Sequence, residues 1–393
     1  MAFVTLLGSC SSPTASSSRR SSRPAMQPHA GPSDDARFAP HWARAPLQYV
    51  ARRLPPGAPP LSIDGDLEKP AWTEVEWSEP FGDIRGPADA PADAQPTRAQ
   101  RTRMKMRWDD EHLYVAAQLE SDFAVLATFT ERNSAIFTED SDFEVFVDPA
   151  AATHAYKELE INARNTVWNL MLDRPYGDAG SEHSARVAAP GEPKHYEVER
   201  LRSATRVTAG ALGGPGGATW TVELAMAHND TLAWQHEGAE RPAAGRKWRI
   251  NFSRVERKGE INWVWSPQIV WDAEARRYAG KVAMHLPDAW GWVQFAPPEG
   301  ATPTRDATWP ARLAAANVYY AQQQRRKEHG AYAGTAAELA PYLDVDVAAP
   351  FELGLVATAD QFNATIAHGE GHDQLRVRVR QDRLMKVMCE SEW

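Results

Sequence analysis

Glu144, Glu160, Asn162 and Trp168 fall close together in residues 140–172, DSDFEVFVDPAAATHAYKELEINARNTVWNLML. Carboxylates and an amide accept hydrogen bonds from hydroxyls, and an indole face takes the C–H side of a sugar ring. The set therefore points to a polyhydroxylated ligand. The two glutamates also admit an acid/nucleophile pair, since neighbouring strands lie ~4.8 Å apart and retaining glycosidases space their carboxyls by about 5–5.5 Å. Oxygen-rich flanks add a third chemistry. Asp140, Asp142 and Asp148 supply the ligand type that calcium prefers. His368, Glu370 and His372 form a weaker metal candidate in the turn HGEGHD.

Strands must position these groups. In DFEVFVDP, Phe143, Val145 and Val147 alternate with Glu144, Phe146 and Asp148; in KELEIN, Leu159 and Ile161 alternate with Glu158, Glu160 and Asn162. Period-two alternation sends one set to a core and the other to the opposite face. If the segments pair, Glu144, Glu160 and Asn162 share a surface. Upstream, Met104, Met106 and Trp108 face inward, the chain turns at DDEH, and Leu113, Val115, Ala117 and Leu119 continue inward as a hairpin. That pattern makes Met104 and Met106 core residues rather than axial ligands of a haem. Trp220, Val222, Leu224 and Met226, and then Trp248, Ile250 and Phe252, repeat the pattern. Short strands without long helices predict an antiparallel β-sandwich, jelly-roll or immunoglobulin-like, of mainly β class.

The run DSDFEVFVDP, preceded by RMKMRWDDEHLYVAAQLE, resembles the core of family 9 carbohydrate-binding modules, which are DOMON-like β-sandwiches. IDGDLEKPAW and LPDAWGWVQF resemble the two ends of the same module. The resemblance spans residues 61–296. It implies a glycan binder without catalysis of its own, of the kind appended to enzymes of polysaccharide breakdown. Glu144 and Asn162 match its polar ligand positions, while Glu160 stands where well-described members have arginine. Of its two clamping tryptophans, the first falls near Phe137 and the second near Met284. Trp168 and Trp265 are the further aromatics expected around a bound sugar.

Composition agrees with a folded protein. The 393 residues allow two domains, and a net charge of −9 argues against a nucleic-acid surface, which needs clustered cations. With only Cys10 and Cys389, a disulfide framework and a cysteine zinc site are excluded. No apolar run reaches the ~20 residues of a membrane span. Residues 1–60 read as a targeting or disordered segment. Ser- and Arg-rich with no acid before Asp34, the start fits an organelle transit peptide (chloroplast or mitochondrion); LLGSC leaves secretion or lipid anchoring at Cys10 as the alternative. Residues 35–60 form a Pro- and Arg-rich lead-in in which no packed core is expected.

Beyond the linker PPEGATPT the pattern changes. Trp309, Leu313, Ala316 and Tyr320 recur at helical spacing, Arg325, Arg326 and Lys327 suit the negative helix end, and Gly330 suits its termination. Thr335 and Glu338 form a capping-box signature, and FELGLVA, QFNATIA, QLRVRVR and DRLMKVM predict a four-strand meander. Residues 305–393 are thus a small α+β domain, resembling the globular part of type IV pilin-like proteins. Without their apolar N-terminal helix, docking is the expected role. Three functions remain open at this point: glycan binding, glycoside hydrolysis through Glu144 and Glu160, and a scaffold with a degenerate sugar site.

Overall fold

The computed structural model describes residues 36–235, 238–369 and 375–388. Residues 1–35 of the expected targeting segment, with Cys10, and Glu370, His372 and Cys389, lie outside the described residues. Strands of the main sheet are, in chain order, β1 (Gln48–Arg53), β2 (Gly82–Asp83), β3 (Thr102–Trp108), β4 (His112–Glu120), β5 (Asp142–Asp148), β6 (Tyr156–Asn162), β7 (Val167–Leu172), β8 (Glu182–His183), β9 (Arg202–Gly210), β10 (Ala218–Ala227), β11 (Lys247–Glu256) and β12 (Ile261–Val264). A separate hairpin of β13 (Ile269–Asp272) and β14 (Arg277–Gly280) follows, and β15 (Gly291–Ala296) returns to the main sheet.

The hydrogen-bonded order runs β8-β7-β6-β5-β11-β15-β1-β3-β4-β10-β9, with β12 and β2 branching from β11. This one path curls so that its two halves face each other. Met104, Leu113 and Val115 from one half pack in the same core as Val145, Leu159 and Ile161 from the other. The molecule is mainly β and sandwich-like, as the alternation predicts.

The lead-in expectation is corrected. Tyr49 and Ala51 of β1 are buried in that core, and β1 runs parallel to both β15 and β3. The arginines of QYVARR disguise a strand whose alternate residues are apolar. β1 is the departure from an otherwise antiparallel main sheet, since its neighbours come from distant parts of the chain. Ahead of it, Phe38 is buried, and Trp42 packs on the C-terminal core.

That second core forms around the helix Trp309–His329, which ends at Gly330 in the left-handed conformation (φ 75°), and the meander β16 (Glu352–Ala357), β17 (Phe362–His368), β18 (Leu375–Arg380) and β19 (Met385–Val387). Thr335 and Glu338 close the expected capping box. Polar contacts join this unit to the sandwich. Arg383 pairs with Asp178 at 2.9 Å and with Asp288 at 3.0 Å, all three side chains at most 5% exposed. Tyr319 donates to Asp178 and Tyr320 to Asp288. The turn that carries Arg383 also holds the β5–β6 loop: Thr153 Oγ1 donates to Arg383 O at 2.7 Å, and Met385 N to Ala152 O at 3.1 Å. Ala151, Thr153 and Ala155 of this loop take positive φ, a conformation costly for side-chain-bearing residues and fixed here from both sides.

Candidate functional site

Register on the β5–β6 hairpin decides which side chains meet. Asp142 pairs with Asn162, Glu144 with Glu160 and Phe146 with Glu158. Ser253 of β11 lies opposite Glu144, and Trp168 of β7 opposite Glu160. The result is a rung of Ser253, Glu144, Glu160 and Trp168 across four strands, on the face away from the main core. Because Phe143, Val145, Leu159 and Ile161 occupy that core, the period of two forces Asp142, Glu144, Glu158 and Glu160 onto one surface.

That surface floors a pocket of ≈ 300 Å³ lined by Glu144, Glu158, Glu160, Trp168, Phe137, Tyr176, Met284 and His285, among others. All four acids are buried. Asp142 Oδ1 accepts from Val255 N at 3.1 Å, but Asp142 Oδ2, Glu158 Oε2 and Glu160 Oε2 have no hydrogen-bond partner, and neither has Trp168 Nε1. Among the described residues, Asp142, Glu144 and Glu160 pair with no lysine or arginine. Burial pushes Glu144 up to about 7, with the Ser253 hydroxyl working against it. Burial, reinforced by the Glu144 charge, raises Asp142, Glu158 and Glu160 well above the usual carboxylate range. Burial also lowers His285 to about 4. Its Nδ1 lies 2.9 Å from the Tyr156 hydroxyl and its Nε2 4.0 Å from Glu158.

The walls are aromatic. Phe137 stacks on Trp168 with centroids 5.2 Å apart, and the Arg186 guanidinium lies 4.2 Å from the centroid of the Trp168 ring. Tyr176 meets His285 edge-on at 4.7 Å. Phe137 and Tyr176 remain 38% and 46% exposed, so these two rings, rather than Trp168, offer free surface to a ligand.

Of the residues expected at the site, the structure brings Glu144, Glu160, Phe137, Trp168 and Met284 together and places others elsewhere. Asn162 shares the face, but its amide is spent. Its Nδ2 donates to Phe129 O and Asp140 Oδ2, and its Oδ1 accepts from Arg164 N and Thr166 N. Trp265 is a core residue, its ring tilted against Phe252 at 6.0 Å between centroids and so close to Gly291 that a Cβ there would lie 2.2 Å from the indole. The metal set is also redrawn. Asp140 accepts from Thr128 N, Thr128 Oγ1, Phe129 N and Asn162 Nδ2, and Asp148 accepts from Ala152 N and Thr153 N. Both carboxylates fasten loops, and Asp142 alone of the three faces the acid cluster. His368 bonds locally to Pro350 O at 2.9 Å.

Sequence reasoning missed Tyr176 and His285. Both lie outside the alternating strands, and the only signal was their aromatic character in loops next to the acid hairpin. Glu158 was visible in the alternation of KELEIN but was not singled out.

No protein-family model matches the chain, and no curated protein does. Solved structures do. A protein of Bacteroides uniformis described as a candidate carbohydrate-binding protein aligns at 13% identity, covering 64% of this chain and 100% of its own, with a TM-score of 0.44. A family 9 carbohydrate-binding module of Caldicellulosiruptor kristjanssonii aligns at 17% identity over 66% of this chain and 99% of its own. Its glucose complex gives a TM-score of 0.36 and its cellotriose complex 0.35.

Proposed function

We propose that the pocket on the β5–β6 face binds a carbohydrate without transforming it. One observation carries this reading: buried oxygens that lack donors, a buried indole N–H that lacks an acceptor, and two half-exposed rings share one ≈ 300 Å³ pocket. A sugar supplies hydroxyls that donate and accept, together with an apolar C–H face, so it meets all three needs at once. An apolar ligand would leave the carboxyls unpaired at a cost of about 1–3 kcal/mol each. Few contacts and an open mouth imply weak binding, since pocket area alone does not give affinity. Residues 61–296 together with β1 (Gln48–Arg53) would form the binding unit, and 305–393 a unit that docks it.

Hydrolysis is the weaker reading. A retaining glycosidase needs one carboxyl kept protonated and its partner kept ionised. Here burial raises both Glu144 and Glu160, and the Glu144 charge raises Glu160 further; among the described residues no cation is paired to either to hold it ionised as a nucleophile. The test is a survey of glycans on affinity gels with the whole chain, alongside Phe137→Ala and Tyr176→Ala. Retention of a glycan, weakened about ten-fold or more in both variants and accompanied by no release of reducing sugar, is the expected outcome. Retention indifferent to both substitutions would place the sugar elsewhere.

A further inference from the structure

We propose that Asp142, Glu144 and Glu160 hold a hard divalent cation of the calcium class, Glu144 and Glu160 from the floor of this pocket and the fully buried Asp142 from the next position along β5 on the same face. Each offers a carboxylate oxygen, and these oxygens lie within 4.8 Å of one another. Calcium sits about 2.3–2.6 Å from its oxygen ligands, so two ligands on opposite sides of one ion are about 4.6–5.2 Å apart. The triad spans that distance without backbone movement. All three side chains stand on paired strands, which fixes their bases, and Glu144 and Glu160 are direct cross-strand partners. Such a pair of like charges is destabilising unless something stands between them.

The free valences point the same way. Asp142 Oδ2 and Glu160 Oε2 have no partner, although Asp142 is completely buried and Glu160 only 3% exposed. Glu158, outside the triad and 6% exposed, adds a further unpartnered oxygen in the same pocket. Elsewhere among the described residues, buried acids such as Glu223 and Glu256 are matched. Glu223 accepts from Asp64 N, Gly65 N, Lys69 Nζ and Trp72 Nε1, and Glu256 pairs with Arg254 at 2.7 Å. Buried charges are ordinarily paired or coordinate metals, and the triad has no partner of the first kind. With oxygen-only donors and no histidine or cysteine among the three, the donor set suits calcium rather than zinc or copper. Three carboxylates leave coordination positions open toward the pocket for water or a ligand hydroxyl.

This inference draws on the same unpartnered carboxylates as the sugar reading but does not rest on it, because the cation needs only the triad. Terbium is the first probe, since it takes calcium-type oxygen sites and emits when excited through a nearby indole such as Trp168. The whole chain, stripped with a chelator, is titrated with terbium and then with calcium by calorimetry. The expected result is one site per chain, displaced by calcium, with affinity lowered at least ten-fold in both Asp142→Asn and Glu160→Gln. Glu160→Lys, which supplies an ammonium in the ion's place, should fold without calcium and give no sensitised emission. Calcium should also raise the melting temperature of the native chain and leave that of Glu160→Lys unmoved. Absence of saturable terbium and calcium binding in a folded native chain would overturn the proposal, as would binding that persists unchanged in Asp142→Asn and Glu160→Gln. Glycan retention, measured with and without calcium, reports separately on the sugar reading.

Discussion

At the junction between the sandwich and the C-terminal unit, Asp178 and Asp288 are buried in ion pairs with Arg383, and two tyrosine hydroxyls donate to them. On the β5–β6 face, Asp142, Glu144, Glu158 and Glu160 are buried just as deeply, and among the described residues none of them is ion-paired with a lysine or an arginine. The same chemical group thus has two fates within one molecule. Where a carboxylate serves cohesion, its counter-charge is part of the chain. Where the counter-charge is missing, the pocket must obtain it from protons, an ion or a ligand. Burying charge is costly enough that the second arrangement is a standing loss of stability, and such losses gather at functional sites.

Substitutions can separate the two fates by sign. Arg383→Met leaves two buried carboxylates without their cation and should cost about 3–5 kcal/mol, read as a drop in the urea midpoint with its slope unchanged. Next in size is Glu223→Ala, which strands two backbone N–H groups, an indole N–H and an ammonium. A loss of about 2–3 kcal/mol is expected in the same assay. Glu160→Gln in chelated protein should do the reverse and raise stability by about 1 kcal/mol, because it removes a like charge from a crowded set; one pKa step is worth about 1.4 kcal/mol. A clear destabilisation there would mean that Glu160 holds the fold and that the contrast is false.

The effect that is smallest at neutral pH concerns His285. Its folded pKa of about 4 lies below the ordinary 6.5, so the unfolded chain binds the extra proton between these values. Stability from this residue is present above pH 6.5 and lost as pH falls toward 4. In His285→Gln the acid limb of a stability–pH curve should therefore flatten within that window and remain unaltered above it.

Much of this was visible in the residues themselves. The hairpin of β3 and β4, the acid hairpin and the helix Trp309–His329 each repeat their apolar residues over several periods, which leaves one way to bury them. Glu144 and Glu160 could be found because the inward neighbours of both strands are unambiguous. β1 escaped because two arginines and nearby prolines mask a short alternation, and its burial depends on partners far along the chain. Asn162 and Trp265 were misplaced for a related reason. A residue type suited to a ligand serves equally well inside a turn or a core, and only its neighbours decide. Asn162 lies at the mouth of a tight turn whose N–H groups it satisfies. Tyr176 and His285 reach the pocket from irregular segments, where no period announces a direction.

The seam at β1 bears on how the chain reaches its native state. Gln48 pairs with Trp292, while Arg52 pairs with both Ala296 and Arg107. During synthesis the first of these strands leaves the ribosome long before its partner exists, and a contact so distant in sequence is among the slowest to form. Until β15 arrives, the edges of β11 and β1 stay unpaired and open to adhesion with other chains. Closing that seam joins the two halves of the sheet, and a chain halted before residue 291 would carry the entire acid face on a sheet that could not yet shut.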